Sequence, residues 1–310
     1  MPSPSLRAEV GNRPTWSRLA RVLGGLLVLV AIAACSSSPT STPVPTGPEV
    51  DAVFVTTDIA VGSNRVVFGL IDRDGMPVRA SAARVRAAYL PPGQDTAEVR
   101  ETATAEFFQW PTGSQGIFKV NLDLDISGVW RVEVDATTAN GTPITAQGSL
   151  TVRPESITPA IGSPAPASIT PTLDGVDDLA TITSSTDPDP DLYRLSVDQA
   201  LTAGKPLVVV FATPAFCVSA TCGPQVEILS QLKERFPGQA NFIHVEVFED
   251  PHEVEAGTTA PRHVKTVAEW KLPTEPFSFI MGKDGLVAAK FEGFTTVEEL
   301  EVALREVVTG

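Results

Sequence analysis

The sequence predicts two folded domains, an all-β sandwich followed by an α/β domain. Three observations predict this fold class. In residues 50–153, short segments alternate apolar with polar residues, which is typical of strands that bury one face. In residues 190–310, apolar strand-like segments alternate with amphipathic helix-like segments. Between these regions, residues 154–189 are rich in proline and poor in aromatic residues, a composition typical of a linker.

The all-β prediction for residues 50–153 rests on alternation along individual segments. In GIFKVNLDLD, Phe118, Val120 and Leu122 fall on one face, and GVWRVEVDA alternates in the same way around Trp130. Turn residues such as Asp74-Gly75 separate the segments, as in a sandwich of short strands. The region resembles the immunoglobulin-like modules of bacterial exported proteins. It contains no cysteine or histidine, so we expect a spacer or docking role.

The N-terminus resembles a bacterial lipoprotein signal. Several arginines precede an apolar run over residues 22–34, which is too short to span a membrane comfortably but typical of a secretory signal. The run ends in Ile32-Ala33-Ala34-Cys35, which resembles a lipobox. The resemblance implies that residues 1–34 are a signal peptide, that Cys35 carries a lipid, and that residues 35–49 are a flexible spacer. An ordinary cleaved signal and an uncleaved anchor are the alternatives.

Charge and compartment limit the partners of the mature protein. The formal net charge is −14, and the predicted signal peptide is basic, so the mature chain is more acidic still. This acidity argues against nucleic acid as a partner. The predicted location is the outer face of the cell membrane, reached through the lipid on Cys35. In that compartment disulfides persist, and with Cys35 as the anchor, Cys217 and Cys222 remain as a pair.

The spacing of this pair restricts where each cysteine can lie. Five residues along an α-helix rise about 7.5 Å, more than the limit of about 7 Å between the Cα atoms of a disulfide. Cys222 precedes Gly223-Pro224, and proline is tolerated in the first turn of a helix. We therefore predict that Cys222 begins a helix that extends to about Phe236. Cys217 then lies in the preceding loop and forms a disulfide with it.

The elements of residues 190–310 resemble the thioredoxin fold. A buried strand over residues 206–212 leads through a loop to the cysteines and a helix, and a helix capped by Thr296 and Glu299 ends the chain. Glu275-Pro276 precedes a strand and a hairpin, where the family has its cis-proline. The resemblance implies that Pro276 is cis and presents backbone to a substrate beside the cysteines. The segment IGSPAP, residues 161–166, resembles the entry segment of related domains, so the second domain can begin near residue 160.

Two alignments to the Cys-Gly-Pro-Cys motif of thioredoxins stay open. In the first, Cys222-Gly-Pro-Gln225 keeps three positions and Cys217 replaces the missing thiol. In the second, Cys217 is the first cysteine and two residues are inserted before the other. A helix N-terminus lowers the pKa of a thiol, and an ionised Glu275 nearby would raise it.

These features predict an anchored thiol–disulfide oxidoreductase that uses Cys217 and Cys222 on extracytoplasmic protein thiols or disulfides, without a cofactor or a metal. The first alternative is copper handling similar to that of Sco-type proteins, with His244, His252 or His263 as a further ligand. The second is a peroxidase-like site, since Ser219-x-x-Cys222 resembles the Thr-x-x-Cys of peroxiredoxins. The third is a binding lipoprotein in which the disulfide is only structural.

Overall fold

The structure, a computed structural model, describes residues 49–110, 116–217 and 221–310. The predicted signal peptide, Cys35, nearly all of the predicted spacer, and Ser219 lie outside these residues. Within the described ranges, the strands are Val50–Phe54 (β1), Gly62–Asp72 (β2), Ala80–Leu90 (β3), Glu98–Gln109 (β4), Gly116–Leu124 (β5), Gly128–Thr138 (β6), Pro143–Val152 (β7), Leu207–Ala212 (β8), Asn241–Glu246 (β9), Phe277–Met281 (β10) and Val287–Glu292 (β11). The α-helices are Val197–Thr202 (α1), Cys222–Arg235 (α2), Pro251–Glu255 (α3), Lys265–Glu269 (α4) and Val297–Thr309 (α5).

The first seven strands form a closed barrel in the order β1-β2-β5-β4-β3-β6-β7. All neighbours are antiparallel except β1 and β7, which close the barrel through a short parallel pairing of Val50 with Ala146 and Asp51 with Gln147. The alternation along β6 is confirmed, because Trp130 and the residues two and four positions beyond it are buried. Trp130 and the stacked pair Phe68 and Phe118 lie in the interior of the barrel.

The predicted fold class, an immunoglobulin-like sandwich followed by an α/β thioredoxin-like domain, is therefore wrong. The structure is mostly β, with one closed barrel and a second, small sheet, and helix is a minor component. Alternation indicates which side chains of a strand face inward, but it does not distinguish two packed sheets from one sheet that closes on itself. Long strands such as β3 and β4, which are 11 and 12 residues long, allow the sheet to coil and close.

The second sheet has four strands in the order β11-β10-β8-β9. β8 and β9 are parallel, whereas β10 is antiparallel to both β8 and β11. Every residue of β8 is buried, as the continuous apolar segment predicts. Trp270 packs against one face of the sheet, and α2 and α5 pack against the other.

The helix boundaries and caps predicted around this sheet are confirmed. The helix predicted from about Cys222 to Phe236 is α2, Cys222–Arg235. At the start of α1, the Ser196 amide donates to Gln199 Oε1 over 3.0 Å, as a capping box requires. Thr296 caps α5 by accepting a hydrogen bond from the Glu299 amide. No helix among the described residues is both long and apolar enough to cross a membrane.

The proline-rich segment between the barrel and the second sheet lies along β11 for part of its length. The Gly162 amide donates to Val287 O, and the Val287 amide donates to Ser163 O. The Ala165 amide donates to Gly285 O in the hairpin between β10 and β11. The barrel and the sheet also share a core, because Val67 and Ile117 on the outside of the barrel join the apolar cluster on the α2 and α5 face of the sheet.

Candidate functional site

The predicted site segments leave the second sheet at one edge. β8 ends at Ala212, and the chain continues from there into the cysteine loop. Phe277, the first residue of β10, pairs with Phe211 near the end of β8. Neighbouring strands lie about 4.8 Å apart, so the Glu275-Pro276 turn that precedes β10 begins beside the loop that follows β8. The sheet topology thus gives both segments a common edge.

The two cysteines form the predicted disulfide. Their Cα atoms are 5.9 Å apart, and Cys217 lies in the loop before α2, while Cys222 is the first residue of that helix. Both features of the prediction are confirmed. Their exposure differs: Cys222 is completely buried, whereas Cys217 is partly exposed. Cys217 is therefore the more exposed residue of the bonded pair.

The position of Cys222 at the start of α2 has an electrostatic consequence. The first amides of a helix have no intrahelical acceptor, and the helix dipole places partial positive charge at this end. Both effects stabilise a thiolate relative to a thiol. When the disulfide opens, the N-terminus of α2 therefore favours the thiolate form of Cys222. Burial of this residue has the opposite effect, because it disfavours ionisation.

The side chain of Gln225 ties α2 to the segment next to the Glu275-Pro276 turn. Gln225 is fully buried, and its Oε1 accepts a hydrogen bond of 2.9 Å from the Thr295 amide. Two residues earlier, the Gly293 amide donates to Pro276 O over 2.9 Å. In the first alignment this glutamine stands where the Cys-Gly-Pro-Cys motif has its second thiol. No sequence pattern indicates that an amide would connect the two segments there.

The Glu275-Pro276 turn contains the expected cis peptide bond. The Glu275–Pro276 peptide bond is cis, and Pro276 is buried. Glu275 is partly exposed. The predicted influence of Glu275 on the thiols, and the role of Pro276 in presenting backbone to a substrate, stay predictions.

A buried carboxylate on β9 supports the cysteine loop, and the sequence analysis missed it. Glu246 is paired with Ala212, the last residue of β8, and is only 5% exposed. Its Oε2 accepts hydrogen bonds from the Ser184 amide over 2.9 Å and from the Ser184 hydroxyl over 2.7 Å. Ser184 Oγ in turn accepts from the Ala215 amide over 3.1 Å, two residues before Cys217. The signal in the sequence was a glutamate between two valines in the strand-like segment NFIHVEVF, since a charged residue is rarely buried without hydrogen-bond partners.

A neutral histidine lies beneath the same loop. His244 Nε2 lies 3.1 Å from Ala212 O, which can only accept, so this nitrogen carries the proton. Nδ1 of a neutral imidazole then accepts from the Tyr193 hydroxyl over 2.6 Å. Burial lowers the pKa of His244, against the opposing charge of Glu246, and burial raises the pKa of Tyr193. The histidine therefore holds the end of β8 through a neutral hydrogen-bonded chain.

The histidines considered for copper have other contacts in the structure. Both ring nitrogens of His244 are engaged as described, so metal binding there would break two buried hydrogen bonds. His263 stacks on Phe248, with ring centroids 5.1 Å apart, and His252 lies in α3. Within the described ranges, no group of three or more histidine, cysteine or acidic side chains has the geometry to hold a metal ion.

A cleft of about 660 Å³ opens beside the cysteine loop. One wall is the segment from Ser184 to Pro190, and the other is one face of α2 from Gly223 to Gln231. Pro214 and Ala215 of the cysteine loop complete the lining. The cleft has room for side chains of a partner that reaches the loop.

Comparison with known proteins adds partial likenesses. No family model and no curated protein matches the chain. A thioredoxin family thiol:disulfide interchange protein from Chlorobium tepidum TLS is 17% identical with a TM-score of 0.32, covering 48% of this chain and 98% of its own. StoA from Bacillus subtilis is 17% identical with a TM-score of 0.30, covering 47% and 98%. CopC from Methylosinus trichosporium OB3b is 11% identical with a TM-score of 0.22, covering 33% and 93%. At these identities and TM-scores, the likenesses assign neither a family nor an activity to this chain.

Proposed function

We propose that this protein is a thiol–disulfide oxidoreductase in which Cys217 and Cys222 are the catalytic pair. The observation that carries the proposal is the unequal exposure of the two bonded cysteine residues. Cys217 is partly exposed in a loop, and Cys222 is buried at the start of α2. This arrangement offers one sulfur to a partner and gives the other a helix N-terminus that stabilises a leaving thiolate.

The exchange proceeds in two steps that balance in atoms and electrons. A partner thiolate attacks Cys217 Sγ, the Cys217–Cys222 bond breaks, and Cys222 leaves as a thiolate. A second partner thiolate then attacks the partner sulfur in this mixed disulfide and releases Cys217 as a thiolate. The partner has lost two electrons and gained a disulfide, and the pair has gained the two electrons. Protons released by the partner thiols return to the cysteine thiolates or to solvent. The reverse sequence reduces a partner disulfide, and the difference in reduction potential sets the direction.

The proposal places this reaction on the outer face of the cell membrane. The support comes from the sequence: the signal-like apolar run over residues 22–34 and the lipobox-like segment that ends in Cys35. The proposed partners are extracytoplasmic protein thiols or disulfides, and the reaction as written needs no cofactor. Glu275 and Pro276 belong to the proposed site because their turn shares the sheet edge with the cysteine loop.

The exposure difference supplies the test. In the reduced state, Cys222→Ser leaves only Cys217 of the pair, and Cys217→Ser leaves only Cys222. We expect the Cys222→Ser variant to be alkylated at least about tenfold faster near neutral pH, since a buried thiol reacts only after local opening. The reduced Cys222→Ser variant should also form a stable mixed disulfide with a peptide disulfide, because Cys217 attacks one peptide sulfur, the second peptide sulfur leaves as a thiolate, and no Cys222 thiol remains to resolve the product. Equal alkylation rates, or faster alkylation of Cys222, would contradict the assignment of Cys217 as the attacked sulfur.

The reduction potential separates catalysis from a purely structural bond. For the loop closed by this disulfide, chain entropy gives a stabilisation of only about 2 kcal/mol. A structural disulfide typically has a reduction potential below about −300 mV. Because the short loop contributes little to the stability of this disulfide, we expect its reduction potential to lie above that value. A lower potential would favour the binding lipoprotein with a static disulfide. The measurement is an equilibrium with dithiothreitol redox buffers, followed by alkylation and mass analysis.

A further inference from the structure

A second buried carboxylate lies at the same edge of the sheet, on the strand next to the Glu275-Pro276 turn. Glu292 is the last residue of β11, is paired with Phe277 at the start of β10, and is 5% exposed. Its Oε1 accepts from the Thr274 hydroxyl over 2.8 Å. Thr274 immediately precedes Glu275. One oxygen of this carboxylate is therefore bonded to the segment that leads into the turn.

The same carboxylate also accepts hydrogen bonds from the barrel. Its Oε1 also accepts from the Thr57 hydroxyl over 2.7 Å, and its Oε2 accepts from the amides of Thr57 and Asp58, each over 2.9 Å. Thr57 and Asp58 lie in the connection between β1 and β2 of the barrel. Glu292 thus joins two segments that are far apart in the sequence, the barrel connection and the turn.

Further contacts make this junction a closely packed one. Lys290 lies two residues before Glu292 on the same strand, and its ammonium donates to Asp58 Oδ2 over 2.8 Å. Gly293, which follows Glu292, has a positive φ of 76°, and a Cβ there would lie 3.5 Å from Val55 of the barrel. The Gly293 amide is the donor to Pro276 O. The barrel therefore packs directly against the residues that hold the turn.

We propose that the barrel positions the Glu275-Pro276 turn through Glu292, and so makes the redox site selective for partners that present a peptide backbone. This inference rests on the proposed function, because it assigns the turn as the surface that a partner peptide contacts. A turn held by hydrogen bonds can pair with an extended peptide without first becoming ordered. Glu292 and Thr274 are positioning residues here. They act on the turn and do not touch the reacting sulfurs.

Thr274→Val tests the link between Glu292 and the turn, because it removes one hydroxyl and keeps the side-chain shape. The readout is the rate constant for reduction of the disulfide by two probes. One probe is a short peptide with a single internal cysteine, and the other is dithiothreitol, which has no peptide backbone to pair with the turn. We expect the peptide rate constant to fall about threefold to tenfold, the range of one lost hydrogen bond, while the dithiothreitol rate constant changes less than about twofold.

Thr57→Val tests the contribution of the barrel to the position of the turn, with the same two probes. It removes the hydroxyl bond from the barrel side of the carboxylate, and we expect the peptide rate constant to fall in the same direction. The matched control is Arg100→Met, which removes the ion pair with Asp125 of the barrel, 2.6 Å long, but no hydrogen bond to Glu292 or Thr274. Its ratio of peptide to dithiothreitol rate constants should equal that of the wild type. A normal ratio in Thr57→Val, with a lowered ratio in Thr274→Val, would overturn the role of the barrel.

Amide hydrogen exchange separates failure of this inference from failure of the proposed function. In the full chain, residues 272–279 should lose protection in Thr274→Val and Thr57→Val but not in Arg100→Met. A wild-type disulfide that reacts with neither probe would refute the oxidoreductase proposal, and exchange would still report on the turn. Unchanged protection together with unchanged rate ratios would overturn the positioning role of Glu292.

Discussion

Lys290→Met should strongly destabilise the protein, because it leaves a buried carboxylate without its cation. The Asp58 side chain is 1% exposed and the Lys290 side chain 17%. The ammonium donates to Asp58 Oδ2 over 2.8 Å, to Thr158 Oγ1 over 3.1 Å and to the Ser156 hydroxyl. Burial by itself raises the pKa of Asp58, but hydrogen bonds from these partners and from the Ile157 amide outweigh it and hold the pKa far below its usual range.

The expected magnitude follows from what Asp58 retains. Removing one partner of a buried ion pair costs about 3–5 kcal/mol, mostly through the charge left unpaired. Asp58 keeps hydrogen bonds from the amides of Ile157 and Thr158 and from two hydroxyls. Methionine also preserves most of the packing of the lysine stem. We therefore expect the lower end of that range, a loss of about 3 kcal/mol in the free energy of unfolding at pH 7.

Urea unfolding followed by tryptophan fluorescence measures this loss. Arg100→Met is the control, since its partner Asp125 is 56% exposed and the pair should contribute less than about 1 kcal/mol. The depressed pKa of Asp58 stabilises the fold above the unfolded value of about 3.9, and this contribution is lost as the pH falls below it. The gap between wild type and Lys290→Met should therefore narrow between about pH 4 and pH 2. A gap below about 1 kcal/mol at pH 7, or one that does not narrow in acid, would refute this account of the junction.

Two further predictions concern other parts of the chain. Burial lowers the pKa of His244, so below about pH 6.5 this histidine binds a proton in the unfolded chain but not in the native chain. The free energy of unfolding therefore decreases as the pH is lowered below about 6.5. His244→Gln should remove up to about 1.4 kcal/mol per pH unit of that loss between pH 6.5 and 5, and an unchanged slope in urea titrations would contradict it. Cys35→Ala should release the protein from the membrane fraction or stall its processing. Normal cleavage with full membrane retention on fractionation would count against lipidation.

The sequence by itself determined the features that depend on neighbouring residues. The helix at Cys222, the capping residues Ser196 and Thr296, the buried strand β8 and the inward face of β6 all follow from periodicity or from interactions within a few positions. The disulfide with Cys217 outside the helix belongs to the same class, because the two cysteines are only five positions apart and helix geometry limits their arrangement.

Only the tertiary structure decided how these elements assemble. The barrel closes through a short parallel pairing of Val50 with Ala146, which no local alternation encodes, and that pairing replaces the predicted sandwich. The two buried glutamates both bind segments that are distant in the sequence: Glu246 accepts from Ser184, 62 positions away, and Glu292 accepts from Thr57, 235 positions away. A buried carboxylate must find hydrogen-bond donors wherever the fold supplies them. Its residue type is therefore visible in the sequence, while its partners, and with them its effect on the site, exist only once distant segments are packed together.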